Sequence, residues 1–241
     1  MKIFVAGAGG VIGRRLVPLL REAGHSVAGT TRSTDRAAAL RLLGAEPIIV
    51  NVFDAEAVMR AIAAAAPDVI IHQLTDLPAA PGTPGFEESR SRNSRLRIEG
   101  TANLMKAAKA GGVRRVVAQS VAFAYAPSDK PHVETDPLAS PPDNEPYSTP
   151  RGVLALEAAV TGTPGIEGVV LRYGYLYGPG TWNEDKKPAP PSVHVDAAAH
   201  AALLAVTKGS RGIYNIVEDG EAVSSEKAER ELGFDVKFRI A

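Results

Sequence analysis

The stretch that decides the reading is Met1-Lys2-Ile3-Phe4-Val5-Ala6-Gly7-Ala8-Gly9-Gly10-Val11-Ile12-Gly13. A short apolar run, Ile3 to Ala6, ends in a cluster of glycines. An apolar pattern of helical period then starts at Val11 and continues through Ile12, Leu16, Val17, Leu19 and Leu20. Strand, glycine turn and helix in that order form a device for holding a diphosphate. Glycines let the backbone turn tightly and approach the phosphates, and the helix N-terminus offers free N–H groups with a partial positive charge. Gly7, Gly9, Gly10, Val11, Ile12 and Gly13 are therefore the expected phosphate-binding residues. Isolated glycine patterns arise by chance, and the flanking strand and helix are the context that gives this one meaning.

Working outward, 241 residues predict one domain, or one domain with a small lobe, and enough chain for a large core. Apolar residues at 45% and charged residues at 22% are ordinary for a globular protein. A formal net charge of zero gives no sign of a nucleic-acid or acidic-membrane partner. The chain has no cysteine, which excludes disulfides, thiol nucleophiles and cysteine zinc sites. No apolar run has the length of a membrane span, and the first residues begin a strand rather than a signal peptide, so a cytoplasmic location is expected.

Further strands are predicted at 26–30, 47–50, 68–72, 113–118 and 168–172. Helices are expected at 33–43, 54–66, about 86–110 and about 147–160 between them, with Asp54 as an N-cap. Apolar strands spaced by amphipathic helices predict an α/β fold: a doubly wound Rossmann fold with a parallel sheet of order 3-2-1-4-5-6. Two segments break the alternation. Residues 126–150 carry seven prolines, and 174–191 are rich in Gly and Pro. Both follow strand ends, where ligands sit in this architecture. An Ala-rich helix (196–206), a short strand (212–217) and a short helix (226–232) come last. The expected division is a dinucleotide-binding domain, 1–173, and a small contracted C-terminal substrate lobe, 174–241, with elements returning to the core.

The glycine pattern Gly7-x-x-Gly10-x-x-Gly13 and six further segments together resemble the extended or atypical short-chain dehydrogenase/reductase superfamily, the NAD-dependent epimerase/dehydratase-like group. Those segments are Val69-Ile70-Ile71-His72, Glu99-Gly100-Thr101-Ala102-Asn103-Leu104, Gly112-Val113-Arg114-Arg115-Val116-Val117, Leu171 to Gly180, Val193-His194-Val195-Asp196 and Glu229 to Phe234. They span nearly the whole chain. The resemblance implies catalysis by a tyrosine that exchanges the substrate's hydroxyl proton, a lysine that lowers its pKa, and a serine on the substrate oxygen, all beside a hydride carrier. Ser120 matches the serine and Tyr147, 27 residues later, the tyrosine; Arg151 then stands at the lysine position. Arginine keeps its charge and can stabilise a tyrosinate, but it cannot shuttle a proton. Pro150 fits only near a helix start. Arg97 stands where the family often has a structural asparagine. Tyr125 is an alternative acid or aromatic wall.

Charge argues the cofactor's identity. The second strand ends in Thr30-Thr31-Arg32-Ser33 with no carboxylate before Asp35. An acidic residue there would bind ribose hydroxyls and repel a 2′-phosphate, whereas Arg32 offers a forked contact and Thr31 and Ser33 add hydroxyls. NADP(H) is favoured, with NAD(H) the alternative. Arg14 is a further phosphate contact to consider. By resemblance, Asn51 and Val52 flank the adenine, and Gln73, Leu74 and Thr75 line the cofactor through backbone groups. His72 reads as a packed strand residue, Asp196 as a helix N-cap, and His194 with Asp196 as too few ligands for a metal.

The leading expectation is hydride transfer between NADP(H) and a carbonyl or hydroxyl of a small molecule. The alternatives are an NAD-dependent sugar-nucleotide epimerase or dehydratase and a non-catalytic NADP-sensing protein. The resemblance also implies a homodimer through helices 86–110 and 147–160. It marks two contractions, at 181–193 and 221–226, where relatives carry longer substrate-binding segments.

Overall fold

The computed structural model describes residues 1–77, 80–218, 220 and 222–240. Glu221, at the start of the second contraction, lies outside them.

The central sheet is built from β1 (Lys2–Ala6), β2 (Ser26–Thr31), β3 (Glu46–Ile49), β4 (Val69–His72), β5 (Arg115–Val121) and β6 (Glu167–Tyr173). After β7 (Tyr175–Tyr177) and β8 (Ser192–His194), β9 (Gly212–Ile216) returns to it. The order is β3-β2-β1-β4-β5-β6-β9, and every pairing is parallel. The sheet is α/β and doubly wound as the alternating pattern predicts, with one strand more on the β6 edge. β7 and β8 form a separate two-stranded ladder, Tyr175 opposite Ser192 and Tyr177 opposite His194.

Period-two alternation sends β1 into two cores. Ile3 and Val5 join Leu16, Leu20, Leu40 and Ala198 on one face, while Phe4 and Ala6 join Ile62, Met105, Leu156 and Val160 on the other. The first core is covered by α1 (Val11–Glu22), α2 (Thr34–Leu42), α7 (Val195–Leu204) and α8 (Glu226–Leu232). The second is covered by α3 (Ala55–Ala65), α5 (Thr101–Ala110) and α6 (Thr149–Gly162). Of the 174–241 stretch, β9 thus joins the main sheet and α7 packs into its first core.

The helix predicted over 86–110 is continuous but not uniform. α4 (Phe86–Arg95) and α5 are joined by a π-helical turn, Leu96–Gly100. Such a turn inserts one residue and re-aims the side chains around it. It buries Arg97 and sets Gly100 against Val52. Thr101, just beyond, accepts a hydrogen bond from the last residue of β4: His72 Nε2 lies 3.0 Å from its Oγ1. His72 Nδ1 accepts from the Leu74 N–H at 3.3 Å, which leaves the proton on Nε2. Burial, and then the charge of Arg97, hold the His72 pKa down at about 4.

Two predictions follow from this packing. A Cβ on Gly168, in β6, would lie 2.0 Å from the Val160 carbonyl oxygen of α6. Gly168→Ala should therefore destabilise the protein by about 1–3 kcal/mol in urea titration, as overpacked cores do; an unchanged midpoint would contradict this packing. For His72, the unfolded chain takes up a proton near pH 6.5 while the folded one refuses it until about 4. Protonation thus favours the unfolded state, and stability falls as pH is lowered through that window. Between those limits the wild type should lose up to about 1.4 kcal/mol per pH unit more than His72→Gln. Equal slopes would refute a neutral buried His72.

Candidate functional site

The glycine turn is dictated by contacts at three positions. Gly7 has φ +90°, and a Cβ there would stand 2.6 Å from the Gln73 backbone. A Cβ on Gly13 would lie 2.4 Å from the Gly7 carbonyl oxygen. Nothing lies within 4 Å of a Cβ on Gly9, which faces open space. Gly7 and Gly13 thus bring β1, β4 and α1 together, and Gly9 leaves the approach clear. Gly7 N–H donates to Thr30 Oγ1 and Gly10 N–H to the Gly7 carbonyl, at 3.0 Å each. Gly10 is the N-cap of α1 and no side chain caps the helix. The first-turn N–H groups of Val11, Ile12 and Gly13 therefore stay available to an anion, as a bound diphosphate requires. The residues present fit a dinucleotide.

A cleft runs from this turn across the ends of β1, β2 and β4. It is lined by Gly7, Gly9 and Gly10, by Thr31 and Arg32, by Asn51 and Val52, and by Gln73, Leu74 and Thr75. Ser33 is not among the lining residues: its hydroxyl accepts from Arg36 N–H and caps α2. Arg36, Phe53 and Thr30 line the cleft as well. Arg36 is legible only once Ser33 is recognised as a cap, since that places Arg36 in the first helical turn beside Arg32. Arg32 is largely exposed and makes a single 3.4 Å contact to Asp76. Asn51 Oδ1 accepts from Phe53 N–H, and Asn103 holds the Val52 carbonyl at 2.9 Å. Gln73 Nε2 donates to Tyr173, while its buried Oε1 has no hydrogen-bond partner among the described residues. Arg14 lies beside Gly180.

At the other end, the three residues proposed from sequence do not meet. Ser120 is buried, and its Oγ donates to Glu157 Oε1 at 2.7 Å. Glu157 also takes a forked pair from Arg172, Nε at 2.8 Å and a terminal nitrogen at 2.7 Å. Tyr147 instead donates to Glu99 Oε1 at 3.0 Å. That hydrogen bond to a carboxylate raises the tyrosine pKa, the opposite of what a proton relay needs. Arg151 donates to the carbonyls of Glu145 and Pro142 at 3.3 and 3.1 Å.

The physical reason is the helix start. Pro150 occupies the first turn of α6, so the helix begins at Thr149 and Tyr147 precedes its N-cap, Ser148. Glu157 marks the face of α6 turned to Ser120. At about 100° per residue that face carries Val153 and Pro150 one and two turns earlier, and Arg151 sits about 120° away. Val153 is fully buried. Neither Val153 nor Pro150 carries a dissociable acid or base. Glu157 was missed from sequence, although a lone carboxylate in Val153-Leu154-Ala155-Leu156-Glu157-Ala158-Ala159-Val160 and a lone cation in β6 are the trace such a pair leaves.

Asp196 does not cap its helix. α7 starts at Val195, His194 Nδ1 accepts from Asp196 N–H, and Asp196 Oδ1 receives Arg15 at 2.6 Å. Tyr125 donates to Asn215 Oδ1 at 2.7 Å and lies under the Arg172 guanidinium. Among the described residues no group of three His, Asp or Glu side chains could hold a metal, and no helix is long and apolar enough to cross a membrane.

Known proteins add to this geometry. The model of the NAD dependent epimerase/dehydratase family matches residues 3–191. A 3-diazoavenalumate denitrifying reductase from a Streptomyces species is 39% identical over 246 residues, covering 94% of this chain and 79% of that protein. In fold, the chain is similar to UDP-glucose 4-epimerase of Thermotoga maritima, solved with UDP-glucose. The TM-score is 0.78 at 20% identity, over 99% of this chain and 94% of the other. It is similar also to WbmG of Bordetella bronchiseptica, solved with NAD and UDP, at TM-score 0.77 and 18% identity over 100% and 91%. With a nicotinamide-dinucleotide turn on β1 and the family's pattern over most of its length, the chain belongs to the NAD dependent epimerase/dehydratase family, an enzyme of the oxidoreductase and epimerase kind.

Proposed function

We propose that the protein is an NADP(H)-dependent reductase of a small molecule whose reaction takes no proton from a tyrosine–lysine pair. One observation carries this reading: the face of α6 turned to Ser120 offers Glu157, Val153 and Pro150, with Glu157 already held by Arg172, while Tyr147 is bound to Glu99. Gly9, Gly10 and the N-terminus of α1 would hold the diphosphate, and Gln73, Leu74 and Thr75 the wall beside it. When bound, a nicotinamide dinucleotide supplies a hydride. Arg32 and Arg36 on the cleft wall suit a 2′-phosphate, since two guanidiniums can fork onto its oxygens.

Reductive loss of nitrogen from a diazo acid fits such a site, and the denitrifying reductase is the relative that suggests it. In the cationic diazonium form of such a substrate, the carbon–nitrogen bond breaks with its electron pair leaving on N2, and a hydride takes the vacated position on carbon and cancels the positive charge. The leaving group is neutral, and no alkoxide forms for a protein acid to protonate. An epimerase, by contrast, must remove a proton from a sugar hydroxyl, and the carboxylate that α6 turns to Ser120, Glu157, is held by a forked pair from Arg172. Ser120, Glu157 and Arg172 then orient substrate and hold the ends of β5 and β6 in place. A chain without cysteine suits the cytoplasm.

The test is NADPH oxidation with 3-diazoavenalumate: one N2 released per NADPH consumed is expected, and no consumption overturns the reading. Tyr147→Phe and Arg151→Met should both keep kcat within about threefold; a loss of 10²-fold or more in either would restore the tyrosine relay. Arg32→Ser combined with Arg36→Ser should weaken NADPH roughly tenfold or more in fluorescence titration and leave NADH unchanged. Equal affinity of the wild type for the two cofactors would overturn the NADP(H) assignment.

A further inference from the structure

The second strand ends without a carboxylate, yet the fold brings one to it from 44 residues away: Arg32, directly after β2, has a terminal nitrogen 3.4 Å from Asp76 Oδ1. Asp76 lies just beyond the end of β4. Its neighbour Thr75 lines the cofactor cleft, and so does Arg32. In the sheet β1 stands between β2 and β4. The contact therefore joins two rims of the cleft across the strand that carries the glycine turn.

Asp76 is anchored on its own side. Its N–H donates to Asn93 Oδ1 at 3.0 Å, and Asn93 is buried in α4. Its second oxygen, Oδ2, lies 3.5 Å from Arg92 Nε. The Asp76 side chain is 15% exposed and that of Arg32 is 63% exposed, so the carboxylate is the fixed partner and the guanidinium the movable one. When Arg32 swings away, Asp76 keeps Arg92 and is not left as an unpaired charge. Arg36, the other cation on the cleft wall, has no hydrogen-bond or ion-pair partner for its side chain among the described residues. Of the two guanidiniums expected to meet a 2′-phosphate, one is free and one is engaged.

We propose that Asp76 is an internal competitor for the cofactor's 2′-phosphate. It holds Arg32 while the cleft is empty, gives it up to the phosphate, and so sets how strongly the site separates a phosphorylated from an unphosphorylated dinucleotide. The inference rests on the NADP(H) reading of the cleft. An exposed ion pair is weak, and breaking this one costs the ligand about two- to fivefold in affinity. Repulsion between the Asp76 carboxylate and the phosphate adds to that cost and is screened by salt. Asp76 is a positioning residue, acting on the cofactor through Arg32.

The experiment is calorimetric titration of the full-length protein with NADP⁺ and with NAD⁺, which differ only in the 2′-phosphate. Asp76→Asn keeps the shape of the side chain and removes its charge. It should bind NADP⁺ about three- to tenfold more tightly than the wild type and NAD⁺ equally well, with the gain shrinking at high salt. In an Arg32→Ser background the gain should fall to about twofold or less, and in an Arg36→Ser background it should persist, as a double-mutant cycle requires of a residue acting through Arg32. A purely structural effect at Asp76 would move both nucleotides together. Unchanged or weaker NADP⁺ binding by Asp76→Asn, an equal gain for both nucleotides, or a full gain in the Arg32→Ser background overturns the proposal. So does a loss of NAD⁺ affinity in Asp76→Asn, which would give the carboxylate to the ribose hydroxyls. The wild type decides the NADP(H) reading separately. A preference for NADP⁺ that Asp76→Asn leaves untouched sinks the inference alone, and a preference that emerges only in Asp76→Asn sinks the reading alone. Should Asp76→Asn fail to fold, Asp76→Ser carries the same comparison between the two nucleotides.

Discussion

The closeness of β1, α1 and β4 at Gly7 and Gly13 is the constraint on which the rest of the molecule depends. Neither glycine has room for a single carbon: one would collide with the Gln73 backbone, the other with the Gly7 carbonyl. The tight approach does two things at once. It seals Ile12, Leu16 and Leu20 of α1 onto the sheet, and it leaves the first-turn N–H groups of α1 facing a cleft whose floor is the ends of parallel strands. Core and cofactor site are therefore one piece of geometry, and no change at these glycines touches only one of them.

A second piece of geometry, the Glu157–Arg172 pair, organises the far end. Both side chains are almost wholly buried, and each oxygen of Glu157 is engaged. Such a pair adds little net stability over an apolar replacement, because desolvation cancels most of the attraction. What it contributes is position. It fixes Ser120, the rotation of α6 and the register of β5 on β6, and so decides which residues of α6 face the reacting end.

That rotation explains what the sequence could and could not disclose. Period-two strands and apolar helix faces made the sheet order legible from β3 through β6, because burial acts on every residue of those elements. The glycine turn was legible for the same reason, being local. The pairing of Tyr147 with Arg151 was inferred by counting residues, and counting assumes that the helix begins where the motif does. Pro150 starts α6 at Thr149 instead, and Glu99 on the neighbouring helix captures the tyrosine. Asp196 shows the same physics: a distant Arg15 outbids the local cap, and His194 does the capping. Contacts between residues far apart in sequence, such as Glu157 with Arg172, leave only the faint mark of a charge amid apolar neighbours.

Trp182 is the chain's single tryptophan, and it stands half exposed beside Phe86 rather than in a core. Its indole emission therefore reports on the loop between β7 and β8 alone, free of signal from the folded interior. The molecule has an optical window at that loop, and the tyrosines, two of them buried in the first core, do not cloud it when light is absorbed by indole only.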